Sequence, residues 1–250
     1  MTKILLCGAN GKMGQAVTRV VSQNPNAEII AGYDIAENPS APYPIVTDFS
    51  MLTEKPDVIV DFSHPALTDG ILDFAVSNGI PAVICTTGLS ADQVSRIEYE
   101  AKNIALFFSA NMSLGVNLLM ELVAKAAKVL QDNFDIEIIE KHHNQKLDAP
   151  SGTALAIADN ISRAIDYAPE YTYDRHSVRK KRDKKEIGIH AVRGGTIVGE
   201  HNVIFAGNDE VIEIKHTATS KEVFAVGAVS AAEFLKSQPA GLYSMKHLIK

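Results

Sequence analysis

The stretch KILLCGANGKMGQAVTRVV, residues 3–21, joins a hydrophobic run to an amphipathic pattern through three evenly spaced glycines. Lys3–Gly8 is a strand candidate. The hydrophobic residues that follow recur at helical spacing and form one face: Met13, Ala16, Val17, Val20 and Val21. In such a loop Gly8 permits a tight turn, Gly11 lets backbone N–H groups approach a pyrophosphate, and Gly14 lets the helix pack on the strand. The stretch therefore predicts a βαβ unit that binds a dinucleotide at the start of its first helix.

The alternative is a glycine-rich turn that binds nothing. The spacing of Gly8, Gly11 and Gly14 differs by one residue from the commoner G-x-G-x-x-G. Asp34 ends the second strand candidate, 20 positions after Gly14. A carboxylate there accepts hydrogen bonds from ribose hydroxyls and repels a 2′-phosphate, which favours NAD over NADP. Asp34 could also be an ordinary turn residue at a strand end. Lys12 favours NADP, because its positive charge could neutralise a 2′-phosphate. Both cofactors are therefore possible.

The composition is that of a globular protein. The chain has 250 residues, 46% hydrophobic and 22% charged, which is enough for one large domain or two modest ones. Its formal net charge of −6 argues against a partner that is a nucleic acid or an anionic membrane, since both require a positive field.

The cysteines and the hydrophobic segments indicate a cytoplasmic protein. Cys7 and Cys85 lie in strand-like runs and are interpreted as small buried hydrophobic residues, not as a disulfide or a metal site. The hydrophobic run at the N-terminus is too short for a signal peptide. The hydrophobic helix that starts at Ser113 contains Glu121 and Lys125, which excludes a membrane span.

The first half of the chain alternates strands and helices, as parallel βαβ units do. Further strands are predicted at Glu28–Tyr33, Asp57–Phe62, Pro81–Cys85 and Ala105–Phe108, with helices at Pro65–Ser77 and Ser90–Lys102. After Asn111 the pattern changes to a long helix at Ser113–Gln131, a strand at Phe134–Glu140, and helices at Ser151–Ile165 and Ser220–Lys236. From Glu186 strands alternate with the turn dipeptides Gly194-Gly195 and Gly207-Asn208, which predicts an antiparallel or mixed sheet.

A second motif, EKHHNQKLDAPSGTA at residues 140–154, gathers proton donors, positive charge and a helix start. Ser151 is a predicted N-cap, and the N–H groups after it suit a carboxylate or phosphate. Lys146 adds a positive charge. His142 and His143 supply groups that titrate near neutrality, although either could be an ordinary core or surface residue, and the sequence leaves open which one acts. A nicotinamide domain, a proton donor and an anion site together indicate a reductase.

The segment RKKRDKK at 179–185 has six basic residues in seven. It is interpreted either as a solvated loop or as a mobile positive lip that draws in an anionic substrate.

The glycine loop and the motif at 140–154 together closely resemble the dihydrodipicolinate reductases, also called 4-hydroxy-tetrahydrodipicolinate reductases. The similarity extends over the whole chain, through DFSHP at 61–65, TTG at 86–88, SANMSLGVN at 109–117, RGGTIVGEH at 193–201 and AGLYSM at 240–245. The string HH-x-x-K-x-DAPSGTA is the most specific part of the resemblance.

The resemblance implies an α/β protein with a Rossmann-like dinucleotide-binding domain at 1–112 and 219–250. It also implies an α+β domain with a mixed sheet at 113–218, which binds substrate and builds a homotetramer. The reaction would add a hydride and a proton to a cyclic dicarboxylate imine in the diaminopimelate route to lysine. The resemblance makes His142 the proton donor, with Lys146 assisting, and it assigns substrate contacts to His143, Gly152 and Thr153.

The cofactor contacts implied by the resemblance are Gly8, Ala9, Asn10, Gly11, Lys12, Met13, Asp34, Cys85, Thr86, Thr87, Ser109, Ala110, Asn111 and Met112. Family members often have glycine where this chain has Cys85, so the backbone there is expected to have an ordinary φ. No arginine follows Asp34 to clamp a 2′-phosphate, so we expect NADH to be preferred and NADPH tolerated.

Two other functions are compatible with parts of the sequence. One is a dehydrogenase that acts on another small amino-acid precursor, which the string DAPSGTA disfavours. The other is a nucleotide sensor without catalysis, which the presence of both histidines and Lys146 disfavours.

Overall fold

The computed structural model describes residues 1–249, and the chain forms two compact units. The first unit comprises Met1–Leu114 and the chain from Lys221 onward, and the second comprises Gly115–Ser220. In the described residues no helix combines the length and the apolar character that crossing a membrane requires.

The first unit is built on a parallel sheet that has seven strands within residues 1–249. Its strands are β1 (Thr2–Cys7), β2 (Ala27–Tyr33), β3 (Ile45–Val46), β4 (Val58–Asp61), β5 (Ala82–Ile84), β6 (Ala105–Phe108) and β12 (Gly241–Tyr243). They lie in the order β12-β6-β5-β4-β1-β2-β3, and every neighbouring pair is parallel. The helices are α1 (Lys12–Ser22), α2 (Pro65–Asn78), α3 (Ala91–Glu100) and α6 (Glu222–Leu235), with short 3₁₀ helices at Phe49–Met51 and Met245–His247.

Helices cover both faces of this sheet, which explains why its strands are almost continuously apolar. One core contains Val17 of α1 and Ala228 of α6 against Val60, and the other contains Leu72 of α2 and Ile97 of α3 against Ile59. The predicted Rossmann-like fold is therefore confirmed. Ser90 is the N-cap of α3 and forms a capping box with Gln93.

The second unit is an α+β fold. Its strands are β7 (Asp135–His142), β8 (Glu170–Thr172), β9 (Glu186–Arg193), β10 (Gly199–Ala206) and β11 (Val211–Ala218), and its helices are α4 (Leu114–Leu130) and α5 (Gly152–Ser162). The strands lie in the order β11-β10-β7-β9-β8. β7 is parallel to β9 and antiparallel to β10, so the predicted mixed sheet is confirmed.

Helices α4 and α5 cover one face of the mixed sheet. Side chains of β7 alternate, so that Ile136 and Ile138 point to the helices while Glu137 and Ile139 point to the opposite face. Neighbouring strands extend the same hydrophobic layer through Ile187, Ile189, Val203 and Phe205. The helices contribute Val123 and Ala127 of α4, and Ile157, Ala158 and Ile161 of α5.

A buried serine–histidine pair joins the start of α5 to β10. Ser151 Oγ accepts the N–H of Ala154 at 3.2 Å, which confirms Ser151 as the N-cap. The same oxygen lies 3.1 Å from Nε2 of His201, a residue that is 4% exposed. Burial, followed by the neighbouring His142, lowers the pKa of His201 to about 4. His201 is therefore neutral at physiological pH, and protonation would leave a buried charge.

We predict that His201 makes the protein less stable as the pH falls from about 6.5 to about 4. In this window the unfolded chain binds a proton at His201 and the folded chain does not, so stability is lost with falling pH. The shift corresponds to about 3 kcal/mol across the window. Denaturant unfolding of the parent and of His201→Gln at a series of pH values measures it. The parent should lose about that much more unfolding free energy than the variant, whereas parallel pH curves would contradict the assignment.

Candidate active site

The segments predicted to contact a cofactor all follow carboxyl ends of parallel strands in the first unit. Loop 8–13 follows β1, Asp34 follows β2, Cys85–Thr87 follow β5, and Ser109–Met112 follow β6. Since parallel strands end at the same edge, the sheet gathers these segments at one edge, where open α/β sheets bind ligands.

The glycine loop has the close packing that a dinucleotide loop requires. Gly8 has a φ of +77°, and a Cβ there would lie 2.6 Å from the carbonyl oxygen of Phe62. A Cβ on Gly14 would lie 2.3 Å from the carbonyl oxygen of Gly8. Helix α1 begins at Lys12, so Lys12 and Met13 lie in its first turn. No described side chain caps α1, and its first N–H groups suit a phosphate.

Asp34 is attached to the glycine loop. Its Oδ2 accepts the backbone N–H of Asn10 at 2.8 Å, and its Oδ1 accepts the N–H of Ile35 at 2.8 Å. The Asn10 side chain donates to the carbonyl oxygen of Ala36 at 2.8 Å. The acid therefore lies beside the loop, where a ribose bound at this edge would meet a carboxylate.

The unusual Cys85 points into the protein. Its φ is not positive, in agreement with the expectation, and its side chain is buried in the core beneath α1 and α6. Burial raises the pKa of the Cys85 thiol well above its usual value, so the thiol stays protonated. Thr86 also turns inward and donates its hydroxyl to Asp61 at 2.8 Å, whereas Thr87 is exposed. Of these three residues, only Thr87 presents its side chain to solvent.

The segment after β6 forms a tight hydrogen-bonded turn. Ser109 Oγ donates to the carbonyl oxygen of Asn111 at 2.9 Å, and Asn111 Oδ1 accepts the N–H of Ser113 at 2.9 Å. Ala110 is exposed at this turn. Met112 is buried against α6, where a Cβ on Gly227 would overlap its carbonyl oxygen. Met112 thus anchors the turn.

In the second unit, the helix-facing layer of the sheet changes from hydrophobic to ionisable at one end. Glu140 and His142 continue the row of Ile136 and Ile138 along β7. Arg193 pairs with His142 in the register of β9, and His201 pairs with Glu140 in the register of β10. These four polar side chains meet beside the start of α5.

Glu140 is the centre of this group and has no exposed surface. Arg193 donates a hydrogen bond to each carboxylate oxygen, both at 2.7 Å. The N–H of Ser151 donates to Oε1 at 2.9 Å, and His142 Nδ1 lies 2.6 Å from Oε2. Burial opposes ionisation, but the bonds from Arg193, His142 and Ser151 outweigh it and hold the pKa of Glu140 below its usual value.

The remaining motif residues lie on the segment after β7. His143 is half-buried, and Lys146 Nζ forms an ion pair with Asp148 Oδ1 at 2.9 Å. Gly152 opens α5, and among the described residues no atom lies within 4 Å of a Cβ built there. Thr153 follows it in the first turn of α5. Glycine therefore leaves space at the helix start, and the Asp148 carboxylate accepts a hydrogen bond from the Gly152 backbone there.

The basic run is attached to the sheet through ion pairs. Arg182 pairs with Asp135 and Glu137 at 3.0 Å each, and its side chain is 18% exposed. Lys180 pairs with Glu186, and Lys184 with Asp135. These contacts favour a structural role over the lip that we considered.

Sequence reasoning missed Glu140, Arg193 and His201 as members of the site. Glu140 could have been found from its position in β7, because alternation places it on the same strand face as the hydrophobic Ile136 and Ile138. An acid on a buried face requires hydrogen-bond donors or a positive charge. Arg193 and His201 were part of a motif quoted only for its resemblance. Their contact with Glu140 depends on strand register, which the sequence does not provide.

Comparisons with known proteins show the family of this chain. The family model "Dihydrodipicolinate reductase, N-terminus" matches residues 2–112, and "Dihydrodipicolinate reductase, C-terminus" matches residues 115–249. A solved structure of a dipicolinate-bound dihydrodipicolinate reductase from Paenisporosarcina sp. TG-14 superimposes with a TM-score of 0.83. It is 27% identical and covers 98% of this chain and 97% of its own.

Two relatives with the name 4-hydroxy-tetrahydrodipicolinate reductase match the full length. The protein from Caldanaerobacter subterraneus subsp. tengcongensis is 50% identical over 250 residues, which are 100% of this chain and 99% of that relative. The protein from Clostridium novyi is 46% identical over 250 residues, with the same coverage. Matches to both halves by the family models, and to the whole length by these relatives, show that the chain belongs to the dihydrodipicolinate reductase family.

Proposed function

We propose that this chain reduces 4-hydroxy-tetrahydrodipicolinate to tetrahydrodipicolinate in the diaminopimelate route to lysine, with His142 as the proton donor. The buried His142 supports this proposal most strongly, because its ring is bonded to a carboxylate beside the start of α5. The names of the full-length relatives favour this substrate over the other precursors considered above. The reaction consumes a hydride and a proton and releases water and the oxidised cofactor.

A nicotinamide cofactor supplies the hydride when bound. Its pyrophosphate fits the uncapped start of α1, and Gly8 and Gly14 allow the close backbone packing of the loop that precedes and enters this helix. Asp34 lies where it would accept the ribose hydroxyls, while Thr87 and Ala110 present exposed surface at the same sheet edge. The other proposed contacts are Ala9, Asn10, Gly11, Lys12, Met13, Cys85, Thr86, Ser109, Asn111 and Met112.

The substrate is a cyclic dicarboxylate, and the second unit offers suitable groups for its charges. The relative from Paenisporosarcina was solved with dipicolinate, a planar dicarboxylate. Lys146 provides a positive charge. The N–H groups of Gly152 and Thr153 lie in the first turn of α5, where the absence of a side chain on Gly152 leaves space. His143 adjoins the donor and completes the proposed substrate contacts.

The two ring nitrogens of His142 have different surroundings. Nδ1 is bonded to Glu140, so Nε2 is the nitrogen that can give up a proton. A Cβ on Gly199 would lie 3.2 Å from Nε2, and glycine therefore leaves room there for a small group. Proton transfer from this atom follows the general pattern of acid catalysis by histidine.

We also propose a homotetramer in the cytoplasm. The face of the mixed sheet opposite the helices carries half-buried residues such as Ile139 and Ile204, which suits it to pairing with a second copy. The two cysteines are unpaired and buried, as expected in a reducing compartment. Sedimentation velocity of the purified protein tests the oligomeric state.

The proposed activity is tested by the loss of NADH absorbance when the protein is added to freshly condensed pyruvate and aspartate semialdehyde. We expect oxidation that depends on this condensation product and is inhibited competitively by pyridine-2,6-dicarboxylate. Oxidation driven better by a linear amino-acid precursor would favour another dehydrogenase, and NADH binding without turnover would favour a sensor.

Substitution of the donor should slow the chemical step selectively. General acid assistance is worth about 10²–10⁴-fold, so His142→Gln should lower kcat by about that factor without weakening NADH binding. His190→Gln is the matched control, because His190 also bonds a glutamate of β7, at 2.7 Å, but on the opposite face of the sheet. An unchanged kcat in His142→Gln would remove the residue from the role of donor.

The preference for NADH should depend on Asp34. Asp34→Asn removes the charge that repels a 2′-phosphate, so the ratio of kcat/KM for NADPH over NADH should rise, by about tenfold for each 1.4 kcal/mol of repulsion removed. Lys12→Ala should shift the ratio the other way. If the ratio stays the same in both variants, these residues do not select the cofactor.

A further inference from the structure

We propose that Glu140 is a positioning residue that fixes both the tautomer of His142 and the start of helix α5. The inference rests on the proposed role of His142 as proton donor. Glu140 lies two residues before His142 on the helix-facing side of β7, and its carboxylate has no exposed surface.

Every contact of the carboxylate is to a group that donates. Arg193 and the Ser151 N–H can only donate hydrogen bonds, and an ionised carboxylate can only accept them. The Nδ1 of His142, at 2.6 Å from Oε2, must therefore carry a proton. In the neutral ring this leaves Nε2 as the unprotonated nitrogen, and in the charged ring it makes Nε2–H the proton available to the substrate.

The same pair of residues closes the segment 143–150. Arg193 Nη2 donates to the carbonyl oxygen of Asp148 at 2.6 Å, near the end of the segment. The Ser151 N–H, which follows the segment, binds Oε1 of Glu140 at 2.9 Å. His142, which precedes it, binds Oε2. Both ends of the segment that carries Lys146 are thus attached to one ion pair.

Replacement of Glu140 by glutamine should reverse the tautomer. A glutamine amide has one oxygen and one NH₂ group, and it must choose between the two carboxylate positions. At Oε1 the NH₂ group would face two fixed donors, from Arg193 and Ser151. At Oε2 it would face only one fixed donor, from Arg193, together with His142, whose ring can change tautomer. The NH₂ group is therefore expected at Oε2, where it donates to Nδ1 and moves the ring proton to Nε2.

The matched control is Glu137→Gln. Glu137 lies on the same strand and is also held by arginines, Arg175 and Arg182, and by a histidine, His190. It points to the opposite face of the sheet, away from His142. The two substitutions therefore remove the same charge from the same strand in similar surroundings, and only Glu140→Gln touches the proposed donor.

The experiment combines kinetics with ¹⁵N NMR of labelled histidine. The His142 signals are assigned by their loss in His142→Gln, and the spectra are recorded at a pH where the ring is neutral. We expect the Nδ1–H tautomer in the parent and in Glu137→Gln, and the Nε2–H tautomer in Glu140→Gln. The ring acts as an acid only when both nitrogens are protonated, and the glutamine NH₂ group cannot accept the Nδ1–H of that ring. Because general acid assistance is thereby lost, kcat of Glu140→Gln should fall about 100-fold or more, with a smaller change in KM.

An Nε2–H tautomer in the parent, or an unchanged kcat in Glu140→Gln, would overturn the inference. If Glu140→Gln does not fold, the tautomer of the parent still decides the matter. Failure of the proposed function gives a different result, because the parent would then not oxidise NADH with the substrate, whatever the state of the His142 ring.

Discussion

A carboxylate buried without solvent contact is stable only when hydrogen-bond donors surround it, and Glu140 meets this requirement by drawing three elements together. Arg193 comes from β9, the Ser151 N–H from the start of α5, and His142 from the end of β7. Removal of any one donor would leave part of a buried charge uncompensated. The stability of this end of the unit and the geometry of its proposed chemistry thus depend on the same few bonds.

The two units contribute different kinds of binding surface. The first supplies backbone N–H groups and a carboxylate at the edge of a parallel sheet, which suit the pyrophosphate and ribose that many nucleotides share. The second supplies a lysine, two histidines and a helix start with space at Gly152, which suit the charges and the proton transfer of the proposed substrate. In the proposed function, cofactor binding and proton transfer therefore belong to separate parts of the chain.

The sequence predicted the Rossmann-like fold and the mixed sheet because their signals are local. A glycine loop between a strand and a helix, and long periodic segments such as the one ending at Leu130, need no knowledge of distant contacts. The short strands Ile45–Val46, Glu170–Thr172 and Gly241–Tyr243 were missed, since two or three residues are too few to show alternation. Their pairing comes from the sheet that they join.

The same distinction applies to the site. The motif at 140–154 gave the histidines, the lysine and the N-cap, all of which are close in sequence. Arg193 lies 53 positions from Glu140, and only the register of β7 with β9 makes them partners. The ion pairs of Arg182 with Asp135 and Glu137 were hidden for the same reason. Long-range polar contacts follow from the fold and cannot be inferred before it is known.

In the proposed reaction a hydride passes from a nicotinamide to 4-hydroxy-tetrahydrodipicolinate. Its most direct test is a turnover with NADH that carries deuterium at both C4 positions, followed by mass spectrometry of the product. We expect tetrahydrodipicolinate that contains one deuterium for each NADH oxidised. Product that forms without deuterium, or deuterated NADH that remains unconsumed in the presence of this substrate, would contradict it.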